Sequence, residues 1–517
     1  LSRSELEAGL SLSRAFFPEA KVELAPQQIN DSNGQSEVEA DLIHIDVVYP
    51  EPPWAVSGFY FCHEDGRKVT FSMEEEEIKL ILSQPYVGKE TPSKLLLKRG
   101  LLKLLSLVTG HTPPWGILTG IRPSKILHRL QEEGYSASAR ERALRNLYAL
   151  RQDKIQLLQE VVAIQQPFLS TMKKDTQRIA LYLGIPFCPS RCSYCSFPAY
   201  SLTTSREPLE SYLKGLGEEI RVTGEWMAEA GLVADSIYLG GGTPTILTAE
   251  ELSSLIHLVK RNIPLFKGAL FTNPALDLPI YDDKLEFSVE AGRPDTLSPE
   301  KFEALRQEGV NRISINPQTM HDETLKRIGR AHKVEDILRI YELARRVSDW
   351  VINMDIIIGL PGESVTHIEE TLQGIKELAP DNLTAHALAI KRGSKEHEQG
   401  LTQNLGRELE AMQEIVMTQA RAMGMNPYYL YRQKQIAGNL ENIGFAKPGL
   451  ECRYNIGIME EYQTVIGLGA GASSKIVDPR DFSLSSFHHP ANWQIYLERW
   501  PVTQEKRREA HRQIIQF

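Results

Sequence analysis

Three cysteines, Cys188, Cys192 and Cys195, stand as Cys-x3-Cys-x2-Cys in a chain that holds only five. Three thiolates on one short loop can wrap a compact metal centre, and soft sulfur ligands select zinc, copper or an iron–sulfur cluster. A closed zinc site wants four ligands, often two Cys-x2-Cys pairs, and no second pair exists here. Iron–sulfur is therefore the favoured reading, with zinc or buried free thiols as the alternative. Three ligands on a four-iron cluster leave one iron open to a substrate or cosubstrate. A second candidate feature is the run Gly240-Gly241-Gly242-Thr243-Pro244-Thr245. Glycines at a strand end let backbone groups approach a ligand closely, although alone such a run is more often a tight turn.

These residues need elements to hold them. From Ile179 to about Met425, short apolar runs alternate with longer amphipathic ones. The runs Ile179–Ile185, Ser236–Leu239, Leu285–Val289, Arg312–Ile315, Val351–Ile358 and Leu383–Ile390 read as strands. Helical patterns follow near Glu210–Ala230, Ala249–Arg261, Pro299–Glu308, Val334–Arg346, His367–Leu378 and Leu405–Met423. Six β-then-α units argue for a parallel sheet with helices outside, an α/β partial (β/α)6 barrel of the TIM-like kind. Its chemistry would sit at the C-terminal edge of the strands, and the cysteines follow the first of them.

Residues 1–172 read as an amino-terminal α+β domain. It has a strand near Leu42–Val48, a hairpin of Phe59–Cys62 and Lys68–Phe71, and a helix opened by Thr91-Pro92 and stopped at Gly110. Glu74–Glu77 reads as a solvated helix start. Further helix is expected from Ser136 to about Ser170, with a polar boundary at Lys173–Arg178. The barrel would then cover 173–425, and 426–517 would form a carboxy-terminal extension covering the substrate, with a Gly-rich apolar segment Ile466–Ala472 and a helix from Asn492.

Composition narrows the setting. The chain has 517 residues, 42% hydrophobic and 24% charged, with mean hydropathy −0.28, ordinary values that exclude disordered and collagenous classes. A net charge of −9 and a pI near 5.9 argue against a global grip on nucleic acid. No apolar run is long enough to span a membrane, and few cysteines without a secretion signal point to a reducing, cytoplasmic setting. The chain opens at Leu1 without Met, which leaves room for an upstream piece.

The cysteine loop after the first barrel strand resembles that of the radical S-adenosylmethionine (SAM) superfamily. The resemblance implies a [4Fe-4S] cluster on Cys188, Cys192 and Cys195, with SAM on the open iron. Leu181-Tyr182-Leu183-Gly184-Ile185-Pro186-Phe187-Cys188 and the Gly240–Thr245 run are similar to the oxygen-independent coproporphyrinogen III oxidase family. By that resemblance Glu290, Gln318, Arg330 and Asp355 contact SAM, with Tyr182, Tyr194, Gly241, Gly242, Thr243 and Ala389 completing its site. Tyr429–Gly444, Gly467–Ala472 and Trp115–Pro123 narrow the likeness to the coproporphyrinogen dehydrogenase HemZ branch, over about residues 180–480 plus the amino-terminal match. Two positions depart from the founding oxidases. Gly184 stands where they carry His, and Ser196-Phe197 where they carry a further Cys.

The implied activity is oxidative decarboxylation of two coproporphyrinogen III propionates to vinyl groups. A 5′-deoxyadenosyl radical from SAM removes the hydrogen, and the product, protoporphyrinogen IX, feeds haem biosynthesis. A reducing electron donor such as flavodoxin or ferredoxin is implied; composition adds no nucleic acid as partner and no membrane span. Candidate cations for the propionates are Arg432, Lys434 and Arg122. The rival readings are a haem chaperone on the same barrel and a radical enzyme that methylates or rearranges another tetrapyrrole. Haem ligation by His488 or His489 would favour the chaperone, whereas Cys62 and Cys452 read as buried apolar residues.

Overall fold

A computed structural model describes residues 3–16, 41–48, 54–62, 64–87, 90–195, 199–202, 206–268, 284–388, 406–433 and 440–515. The chain separates into two compact units, Leu1–Ala163 with Arg432–Gln435, and Ile164–Tyr431 with Ile436–Phe517.

The first unit is α+β. Strands β1 (Leu42–Val48), β2 (Ala55–Phe61) and β3 (Lys68–Met73) form an antiparallel sheet in the order β1-β2-β3. Helices α1 (Arg3–Phe16), α2 (Glu75–Leu82), α3 (Pro92–Thr109), α4 (Ser124–Glu132) and α5 (Ala137–Arg142) accompany it. Thr91 caps α3 by accepting a hydrogen bond from the Lys94 N–H at 3.3 Å, and Gly110 ends it in the left-handed region. The further helix expected from Ser136 to about Ser170 is present and comes in segments. A short π-helical turn (Ala143–Leu147) follows α5, and Ala149 takes a positive φ of 56° before α6 (Gln152–Lys174) begins. The break has a packing cause. Ile117 N–H bonds the Tyr148 carbonyl at 2.9 Å, and a Cβ on Gly116 would fall 2.1 Å from that oxygen.

The second unit carries the partial barrel. Six parallel strands run β4 (Arg178–Ile185), β7 (Val233–Gly241), β8 (Glu286–Glu290), β9 (Arg312–Ser314), β10 (Val351–Ile358) and β11 (Asn382–Ala387). Each pairs with the next in sequence order. Two short strands, β5 (Phe187–Cys188) and β6 (Tyr200–Ser201), pair beside the cysteine loop. The crossovers carry α7 (Glu207–Glu229), α8 (Ala249–Asn262), α9 (Pro299–Gln307), α10 (Asp322–Arg327), α11 (Val334–Val347) and α12 (Val365–Leu378). Parallel strands demand such crossovers, and the apolar stripes of the helices cover the sheet.

The carboxy-terminal residues extend this sheet at both edges. After α13 (Gly406–Ala422), β12 (Asn426–Tyr431) and β13 (Asn442–Ala446) add antiparallel strands beyond β11. After α14 (Arg453–Glu460), β14 (Val465–Leu468) pairs parallel to β4, followed by β15 (Ser473–Val477) and β16 (Leu484–His488). The chain ends on α15 (Trp493–Ile515). The boundary also differs from the polar stretch at Lys173–Arg178, because α6 runs unbroken to Lys174 and the units divide within it.

Candidate active site

The register of β4 against β7 sets the site. Ile185 pairs with Gly241, so the two strands end level and their loops leave side by side. The loop after β4 bears Cys188, Cys192 and Cys195, and the loop after β7 bears Gly242 and Thr243. Two backbone hydrogen bonds zip them together, Gly242 N–H to Ile185 O and Thr243 N–H to Phe187 O, both 2.8 Å. This approach needs glycine. A Cβ on Gly242 would fall 2.7 Å from Phe187 O and 2.9 Å from Cys188 Sγ. Gly241 adopts φ 112°, open to glycine and strained for other residues.

One cavity at this strand edge is lined by the three cysteines together with Tyr194, Gly242, Thr243, Glu290 and Arg330. Glu290 ends β8 beside Gly240, where a Cβ would stand 3.0 Å from its Oε2. Its Oε1 accepts the Tyr238 hydroxyl at 2.9 Å and its Oε2 the Gly241 N–H at 3.1 Å. Burial, reinforced by Asp355, pushes its carboxyl up to about 7 against those hydrogen bonds. Arg330, in the turn after α10, donates to Gly292 O and Tyr194 Oη, both at 3.0 Å.

Asp355, Tyr182 and Gln318 stand outside the lining of the cavity. Asp355 on β10 accepts from Asn353 Nδ2 at 2.7 Å and lies 3.8 Å from His386 Nε2. Burial raises its pKa, but His386 and Asn353 more than offset this and hold the carboxyl below its ordinary value. Tyr182 stacks with Tyr238 and Tyr454, the latter two rings 4.5 Å apart. Gln318 is buried with φ 67°, its backbone bonded to Asp355 O and Ile357 N. Ala389 lies outside the described residues.

Two of the expected substrate cations, Arg432 and Arg122, are described, and both belong to the first unit. Arg432 is buried in the first unit, where its guanidinium bonds the Leu118 carbonyl and faces the Trp115 ring. Arg122 is half-buried in the same unit, and Lys434 lies outside the described residues. The cation at the cavity that sequence reasoning passed over is Arg191, exposed on the cysteine loop.

Arg293 was also missed. It is buried, donates to Ser190 O (3.0 Å) and Ser190 Oγ (3.1 Å), and pairs with Asp295, so it ties the cysteine loop to the end of β8. A lone Arg-Pro-Asp after a strand carries no sequence signal for this role. His489 is engaged by buried Glu219 at 2.8 Å, and His488 by Ser473 at 2.7 Å. Cys452 is buried, as its sequence context suggested, and its thiol bonds Glu286.

A cysteine loop after the first strand of a partial barrel, with a glycine run after the second, defines a radical SAM protein, and the model of the Radical SAM superfamily matches residues 182–375. The chain is 42% identical over 413 residues to the oxygen-independent coproporphyrinogen-III oxidase-like protein HemZ of Bacillus subtilis (strain 168), covering 78% of each chain. The chain therefore belongs to this oxygen-independent coproporphyrinogen-III oxidase-like family of the radical SAM superfamily. It is also 32% identical to the heme chaperone HemW of the same organism, over 60% of this chain and 74% of that one. Among solved structures, the coproporphyrinogen III oxidase HemN of Escherichia coli matches 66% of this chain and 73% of its own, at 22% identity and TM-score 0.48.

The superfamily's cofactors are a [4Fe-4S] cluster and SAM, and the residues present fit both. Three thiol side chains share the cavity, and Gly242 leaves open the space beside Cys188 Sγ. Two buried polar atoms of its lining, Arg330 Nε and Asn316 Oδ1, have no hydrogen-bond partner among the described residues. Among the described residues no helix is long and apolar enough to cross a membrane.

Proposed function

We propose that the protein oxidatively decarboxylates propionate side chains of coproporphyrinogen III to vinyl groups. The observation that carries this reading is the convergence of the three cysteines, Glu290 and Arg330 on one cavity of a chain 42% identical to a coproporphyrinogen-III oxidase-like protein. Cys188, Cys192 and Cys195 would hold the cluster, leaving one iron for SAM. When bound, the pair supplies one-electron chemistry able to remove a hydrogen atom from an unactivated carbon.

The chain's own residues bind, orient and exclude water. Arg330 and the Asn316 amide suit the carboxylate and amino groups of SAM, and Glu290 and Asp355 suit hydroxyls. Behind Glu290 the rings of Tyr238, Tyr182 and Tyr454 stack on one another, an aromatic layer suited to shielding a reactive species. Arg191, at the cavity and exposed, is the cation assigned to a substrate carboxylate. The region 426–517, whose strands β12 to β16 flank both edges of the sheet, is assigned to covering the substrate.

The test is anaerobic turnover. Reconstituted, reduced protein with SAM and coproporphyrinogen III should release two CO2 per porphyrinogen together with 5′-deoxyadenosine. Haem binding and transfer without SAM consumption would instead support the chaperone reading, which the 32% identity to HemW favours. Deoxyadenosine without decarboxylation would redirect the search to another tetrapyrrole.

A further inference from the structure

The Gly240–Thr245 run does more than make room. Thr243 is buried, and its Oγ1 donates to Cys188 Sγ at 3.3 Å. A buried hydroxyl has lost water as a partner, so the acceptor that it faces matters energetically. Its position is fixed on both sides. The Thr243 N–H is held by Phe187 O at 2.8 Å, and the Thr243 carbonyl accepts from Ile246 N–H at 3.0 Å. Gly242, lacking a Cβ, brings this segment within reach of the sulfur.

A sulfur bound to iron is an acceptor only, so the direction of the bond is set once Cys188 ligates: Thr243 must donate. A hydrogen bond to a ligating sulfur withdraws electron density from the cluster and favours the reduced, more negative state. We propose that Thr243 is a positioning residue that raises the reduction potential of the cluster through its hydroxyl bond to Cys188. The inference rests on the cluster assignment alone and is independent of which tetrapyrrole is the substrate. Its consequence is functional, because a cluster that is easier to reduce can be served by a weaker electron donor.

The experiment compares the wild-type chain with Thr243→Val, which keeps the branched shape, and Thr243→Ser, which keeps the hydroxyl. Iron and sulfide contents are measured first, and the cluster is then poised at a fixed solution potential without SAM and its reduced fraction read by electron paramagnetic resonance. Thr243→Val should lower the reduced-to-oxidised ratio about three- to tenfold, the worth of one ordinary hydrogen bond, and Thr243→Ser should restore it. An unchanged ratio in Thr243→Val, or an equal fall in Thr243→Ser, overturns the proposal. A measurement on the wild-type chain keeps it falsifiable should the valine variant fail to load. The terminal Fe–S vibration should shift when the protein is folded in D2O, and an insensitive band also overturns the proposal. A wild-type chain that binds no cluster defeats the cluster reading itself, a failure distinct from a loaded cluster with unchanged potential.

Discussion

Glu290 faces two opposed demands at one carboxyl. Burial and Asp355 favour its proton, while Tyr238 and the Gly241 N–H favour its charge, and the balance lies near 7 against an ordinary 4.5. Between those values the folded chain holds a proton that the unfolded chain releases, so this residue's contribution to stability falls as pH rises through the window. Glu290→Gln should shrink the drop in melting temperature between about pH 5 and about pH 8; an undiminished drop would place the pH dependence elsewhere. Asp355 is held ionised by His386 and Asn353. Asp355→Ala should weaken SAM binding about 10- to 100-fold, the worth of hydrogen bonds to a charged group, while iron content stays intact. Titration of SAM by calorimetry checks this, and unchanged affinity would remove Asp355 from the site.

The elements that matter are two loops leaving level strand ends. Their contact depends on the missing Cβ of Gly242, whose replacement would sit 2.7 Å from Phe187 O. Gly242→Ala must therefore push the loop from the cysteines, at a cost of about 1–3 kcal/mol. It should reduce iron and sulfide uptake while far-ultraviolet circular dichroism shows the barrel intact. Full cluster loading in that variant would show that the loops need not touch. The glycine run was visible in the sequence, but its partner was not, because strand register decides which loop it meets.

Across the second unit, buried Glu219 of α7 gathers three carboxy-terminal side chains and a turn. His489 Nε2 lies at 2.8 Å, Arg507 Nη2 at 3.0 Å and Tyr496 Oη at 2.7 Å, while Gly469 N–H donates at 3.0 Å. Tyr212, also on α7, bonds both the Gly184 carbonyl and the Ala470 N–H, which links this network to the strand before the cysteines. Removing one partner strands buried charge, so Glu219→Ala should cost about 3–5 kcal/mol. Glu218→Ala, on the exposed face of the same helix, should cost little. Equal melting temperatures for the two variants would deny the network its role.

The sequence by itself determined the six βα units, the place of the cysteine loop after the first strand, and the family. Hydrophobic periodicity and residue spacing are local, and both survive in the linear text. Val351–Ile358 was legible to the residue because a buried parallel strand is a nearly continuous apolar run. Only the tertiary structure decided that Arg293 ties the cysteine loop, that His386 supports Asp355, and that Arg432 is turned inward. Each of those roles joins residues far apart in the chain or depends on burial, and an arginine or histidine carries the same letter whether it faces water or a carbonyl. The same reason separates Arg191 from Arg432 as cations: strand register and packing, not residue type, place one at the cavity and bury the other.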